Sequence, residues 1–209
     1  MGNVISLADH RRTRVVASTA TPVARASRAT FYFDLSSPYT YLASERVDRL
    51  FPGLQWKPVF EEVLQGPSFD EADVEERAGR LGLPLVWPTD LGAETVRPAM
   101  RVAALAAERG AAAPFVLAAT RLAYCGGFEL DHPEVLAEAA AAANVGLEDC
   151  LHAAGDPGRD GAMEESARRL LAQGADRLPA LRVGRLLFAG EDRMSEAHAA
   201  AQAPDLRAG

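Results

Sequence analysis

The chain reads as an α/β protein with its strands near the two ends and a large all-helical insertion between them. Three observations predict this. Residues 30–59 run from a β-prone segment through a helical period to a second β-prone segment. Residues 61–174 repeat helix starts and stops without a strand signal. Residues 178–188 hold two apolar runs split by Gly184-Arg185, a hairpin pattern.

The first strand is expected over Thr30–Leu35, an aromatic run that stops at Ser36-Ser37. Pro38 opens a helix over 38–50, with Tyr39, Ala43, Val47 and Leu50 on one face. Proline suits the first helical position because its missing N–H would be unpaired there anyway. Ser37 is then the N-cap, next to unpaired N–H groups and the positive end of a helix dipole. Such a place stabilises an anion, and a thiolate is one candidate. Taken alone, Ser-Pro is also an ordinary strand–turn–helix junction.

Leu54–Val59 alternates apolar and polar residues as a second strand. Helices are expected at 71–81, 94–109, 113–124, 135–143 (with Asp131 as its cap), 147–154 and from Asp156-Pro157 to Gly174. Gly190-Glu191-Asp192 starts a last helix after the hairpin. Residues 1–28 lack periodicity and read as a flexible leader.

The formal charge of −7 is uneven: residues 1–28 carry five arginines against one aspartate, so the remainder carries −11. An acidic body without a basic, aromatic-studded patch argues against nucleic acid as a partner. No segment is long and apolar enough to span a bilayer, and no signal-peptide core precedes the arginines. The expectation is a cytoplasmic protein acting on a small molecule, with neither nucleic-acid nor membrane partner. Cys125 and Cys150 have no close spacing and read as small buried residues. Four scattered histidines give no metal set, and Ser37 lacks the Gly-x-Ser-x-Gly elbow of a hydrolase.

The frame Asp34-x-x-Ser37-Pro38-Tyr39-Thr40-Tyr41-Leu42-Ala43 resembles the N-terminal signature of the 2-hydroxychromene-2-carboxylate isomerases and kappa-class glutathione transferases. These sit in a thioredoxin-fold clan with the DsbA-like oxidoreductases, which carry Cys-Pro-x-Cys at this place. Both thiol positions are hydroxyls in this chain, Ser37 and Thr40, so disulfide exchange has neither its nucleophile nor its resolving thiol.

The resemblance implies a thioredoxin-like fold, with residues 29–60 and 175–205 as its two halves and 61–174 as the inserted helical domain. It implies glutathione or another low-molecular-weight thiol as cofactor, and a homodimer. It gives Ser37 the role of stabilising the cofactor thiolate. Leu178 would align the cofactor through its backbone, Pro179 would be a cis proline facing the Ser37 turn, and Asp192 would hold the γ-glutamyl ammonium. Glu191 stands where relatives have a small neutral hydrogen-bonder; its carboxylate would repel a γ-glutamyl carboxylate unless turned away. Tyr39, Thr40 and Trp87 would border the substrate cleft, Trp87 from a Gly82–Pro88 loop at its mouth. The implied activity is thiol-dependent cis–trans isomerisation or glutathione transfer. The alternatives are a non-catalytic binding module or a DsbA homologue that has lost its redox cysteines.

Overall fold

The computed structural model describes residues 29–64, 69–90 and 92–203; the leader expected over 1–28 lies outside them. Strand β1 (Ala29–Phe33) leads through helix α1 (Pro38–Leu50) to β2 (Gln55–Pro58) and a 3-10 turn, Glu61–Val63. The helices α2 (Glu71–Leu81), α3 (Ala93–Glu108), α4 (Ala112–Gly126), α5 (Pro133–Ala142), α6 (Leu147–Ala154) and α7 (Asp160–Ala172) follow. Then come β3 (Ala180–Val183), β4 (Leu186–Ala189) and α8 (Met194–Gln202).

The four strands form one sheet in the order β2-β1-β3-β4. β1 and β2 are parallel, as the crossover helix α1 requires, while β3 runs antiparallel to both β1 and β4. One edge of the sheet therefore collects the ends of β1, β2 and β4 and the start of β3. This is the thioredoxin-like arrangement, interrupted between β2 and β3 by the large helical insertion.

Alternation along β1 serves both faces. Phe31 and Phe33 are fully buried in the larger core, and Trp56 packs edge-on against both rings, with centroids 4.8 and 5.8 Å away. Tyr32 points the other way and joins Ala167 and Leu170 of α7 in a second cluster. Arg101 holds the Asp160 carboxylate at 2.8 and 2.7 Å, tying α3 to the start of α7.

Three expectations change in detail. β1 stops at Phe33 rather than Leu35, because the Asp34 side chain accepts backbone N–H groups that a continuing strand would direct elsewhere. His132, not Asp131, occupies the N-cap of α5, and no side chain caps that helix. The segments after Asp156 and Gly190 each begin with one 3-10 turn before the α-helix. In the first of these turns Asp156 Oδ1 accepts from Gly158 N–H at 3.0 Å.

Phe33→Ala should lower stability by about 3–5 kcal/mol, read as a lower urea midpoint at unchanged slope. A loss below about 1 kcal/mol would contradict the close packing of this ring.

Candidate functional site

The shared sheet edge brings four separated segments together: residues 34–37 after β1, Glu61 after β2, Leu178-Pro179 before β3 and residues 190–192 after β4. Val59 N–H donates to Phe33 O at 2.9 Å and Gly190 N–H to Pro179 O at 2.9 Å, so the ladder extends to the site itself. The Leu178–Pro179 peptide bond is cis. Beside this edge lies a cleft of about 280 Å³, bordered by Tyr39, Glu61, Leu178, Glu191 and Asp192 together with residues of α2.

Ser37 sits at the N-cap of α1, but its hydroxyl does not cap the helix. Its backbone carbonyl takes the Thr40 N–H at 2.9 Å, and Pro38 has no N–H to offer. Its side chain instead acts on the Glu61 carboxyl as a donor that lowers its pKa, and Glu61 Oε1 accepts the Leu178 N–H at 3.3 Å. Ser37 is only 1% exposed, so its route to the cleft runs through the Glu61 carboxylate.

Burial, then the negative charge of Asp34, push Glu61 up to about 7; the Ser37 and Leu178 donors pull the other way. Asp34 is itself buried, and desolvation raises it above the usual carboxylate range. Two backbone donors oppose that shift: Ser36 N–H at 2.9 Å and Glu61 N–H at 2.8 Å. The buried Tyr124 hydroxyl closes the turn from α4 by donating to Ser36 O at 2.9 Å. Thr40 is fully buried, and its hydroxyl has no hydrogen-bond partner among the described residues.

The far wall is a chain of charge. Tyr39 donates to Asp73 at 2.6 Å; burial and that bond push the phenol up to about 12. Arg77 joins Asp73 at 2.8 Å and Glu191 at 3.0 Å, and Arg46 completes the pairing of Glu191. Glu191 is thus buried and turned toward two arginines. Asp192 is exposed on the rim. Trp87 stacks on Phe69, a lining residue, with centroids 5.5 Å apart, and donates to Glu75 at 3.1 Å.

The structure thus groups Ser37, Leu178, Pro179, Glu191, Asp192 and Tyr39 at one edge, with Thr40 buried in α1 and Trp87 one ring behind the lining. Sequence reading passed over Glu61, Arg46, Arg77 and Asp73. A signal for Glu61 existed: an acidic residue just past a parallel strand, where sites of α/β sheets gather. Neither cysteine lines the cleft; Cys125 contacts the Tyr41 hydroxyl at 3.2 Å and Cys150 is buried. Elsewhere, Glu129, Asp131 and His132 bring potential metal-ligating atoms within 4.8 Å of one another, two of the three being exposed.

Glu61 has a consequence for stability. Its folded pKa lies above the ordinary glutamate value, so between about pH 4.5 and pH 7 the folded state binds the extra proton. Its contribution is full below that window and is lost as pH rises through it. Relative to Glu61→Gln, the natural protein should lose about 2–3 kcal/mol between about pH 5 and pH 8. Paired urea titrations of the two proteins measure this difference; parallel stability curves would refute it.

The chain matches the DSBA-like thioredoxin domain family over residues 29–202. Among solved structures it is similar to a 2-hydroxychromene-2-carboxylate isomerase, with TM-score 0.70 and 20% identity, covering 82% of this chain and 93% of that one. It is also similar to a candidate protein disulfide isomerase from Nitrosomonas europaea, with TM-score 0.59 and 14% identity, covering 82% and 96%. No curated protein matches the chain. At these identities the structural neighbours speak to the fold, and the family match extends across the strands and helices that build the cleft. The protein belongs to the DSBA-like thioredoxin domain family.

Proposed function

We propose that the protein is an isomerase- or transferase-type enzyme working with a small thiol, such as glutathione, bound over the Ser37 turn. One observation carries the reading: the Ser37 hydroxyl and the Leu178 N–H converge on a single anionic group, the Glu61 carboxylate, beside the start of α1. Two donors and a helix N-terminus focused on one anion also suit a thiolate. Leu178 would align the thiol's backbone, with Pro179 shaping the turn, and Asp192 on the rim has the charge to hold an ammonium. Glu191, engaged by Arg46 and Arg77, is the form of that carboxylate least repulsive to an anionic ligand.

When bound, the thiol supplies a nucleophile for a conjugated double bond or another electrophilic carbon. The similarity to a 2-hydroxychromene-2-carboxylate isomerase favours isomerisation of a small conjugated substrate. A second reading is a thioredoxin-fold module that binds without catalysis. The same Glu61 favours it, because its carboxylate already holds both donors and no cysteine lines the cleft.

A thermal-shift panel of glutathione, cysteine and cysteamine tests the reading. At about 100 times Kd a binder should stabilise the protein by roughly 2.7 kcal/mol. Ser37→Ala should weaken binding about tenfold or more and reduce the ultraviolet thiolate absorbance of the bound thiol. No stabilisation by any of the three would leave the binding-module reading in its place.

A further inference from the structure

We propose that Glu61 is the proton acceptor for the thiol bound at Ser37, and that it surrenders its two hydrogen-bond donors in the same step. The proposal rests on the thiol reading above. Glu61 borders the cleft, whereas Ser37 is buried next to it and does not border that space. The groups that Glu61 holds, the Ser37 side chain and the Leu178 N–H at 3.3 Å, are the donors a thiolate there requires. Its backbone is anchored: its N–H is fixed by Asp34 at 2.8 Å, and Arg97 grips neighbouring Glu62 at 2.6 Å. The side chain is the part left to turn.

The surroundings favour a carboxyl that accepts a proton readily. Asp34 stands behind it with no cation beside it among the described residues, so a second negative charge is disfavoured. Tyr39 and Tyr124, the nearby phenols, are held protonated by burial. From α2 the cations are already committed, Arg77 to Asp73 and Glu191. Arg97 of α3 is shared between Glu62 and Asp160 of α7, Arg177 before β3 pairs with Asp176 at 3.3 Å, and Asp192 adds negative charge at the rim. The pKa of Glu61, up to about 7, places it within reach of a thiol's ordinary range near 8.5.

The step balances within the cleft. The S–H bond breaks, its electron pair stays on sulfur, and Glu61 takes the proton on a carboxylate oxygen. Neutral Glu61 no longer needs two donors, and both become available to the new anion. One negative charge replaces another, and no proton reaches solvent. When the thiol leaves, Glu61 returns the proton to sulfur.

The test is the pH dependence of Kd for glutathione, cysteine and cysteamine, with protons counted by calorimetry in buffers of different ionisation heat. In the natural protein Kd should be flat between about pH 7 and pH 8.5, with no net proton release, and should weaken about tenfold per unit below about pH 7. In Glu61→Gln, binding should release about one proton and Kd should tighten about tenfold per unit across the whole range. The natural protein's proton count decides the matter even if the variant does not fold. Between about pH 7 and pH 8.5, a thiolate bound with one proton released by the natural protein, or a thiol bound without ionising, overturns the proposal and leaves the thiol reading standing. Failure of all three thiols to bind removes both.

Discussion

Asp34 is a buried carboxylate with no cation beside it among the described residues, eased by the Ser36 side chain and held by two backbone N–H groups. One comes from Ser36, two residues on, and the other from Glu61, across the parallel β1–β2 pair. Burying a charge this way is unfavourable unless hydrogen bonds replace its water, and these donors are the replacement. The consequence is positional. Asp34 fixes the exit of β1, and with it the Ser37 turn, against the exit of β2, and with it Glu61. The Ser37–Glu61–Leu178 contact exists because this one side chain holds both strand exits in register.

The opposite side of the cleft solves a different problem. A carboxylate at position 191 is out of keeping with the small neutral residue of the resembled pattern, and buried it would be costly alone. Arg46 from α1 and Arg77 from α2 answer it, and Arg77 reaches on to Asp73, which in turn accepts from Tyr39. α1, α2 and the turn after β4 are thereby cross-linked around the cleft. A substitution that looks hostile to an anionic ligand acts as the hub of a scaffold, with its charge directed into the protein. Asp192, the neighbour, is left exposed at the rim.

The elements themselves were legible in the sequence because their signals are local. Pro38 and the Tyr39-Ala43-Val47-Leu50 stripe mark α1, and Gly82 in the left-handed conformation ends α2 where the residues say it should. The Gly184-Arg185 break gives the β3–β4 hairpin for the same reason. At the candidate site, Ser37 was legible as a helix N-cap suited to an anion, while the roles expected of Leu178, Pro179 and Asp192 come from matched motifs. Glu61 lies 24 residues beyond Ser37 and 117 before Leu178. Its meaning depends on a parallel pairing and an antiparallel one together, and no local period encodes that. Arg46 and Arg77 were hidden for another reason. On sequence each reads as a solvated helix charge, and only the fold brings them to one buried carboxylate.

In a thioredoxin-like fold the start of α1 is a place for an anion, and in this chain hydroxyls occupy both positions where the related oxidoreductases carry sulfur. Thr40 is a buried hydroxyl without a partner among the described residues, a residue that fills space more than it bonds. The Ser37 hydroxyl meets an anion beside the helix start. That anion is now a carboxylate delivered from β2. The family match places the chain on the DSBA-like scaffold, but the scaffold does not choose the chemistry. In this cleft Glu61, pushed up to about 7, lies against the two donors that the proposed thiol would need.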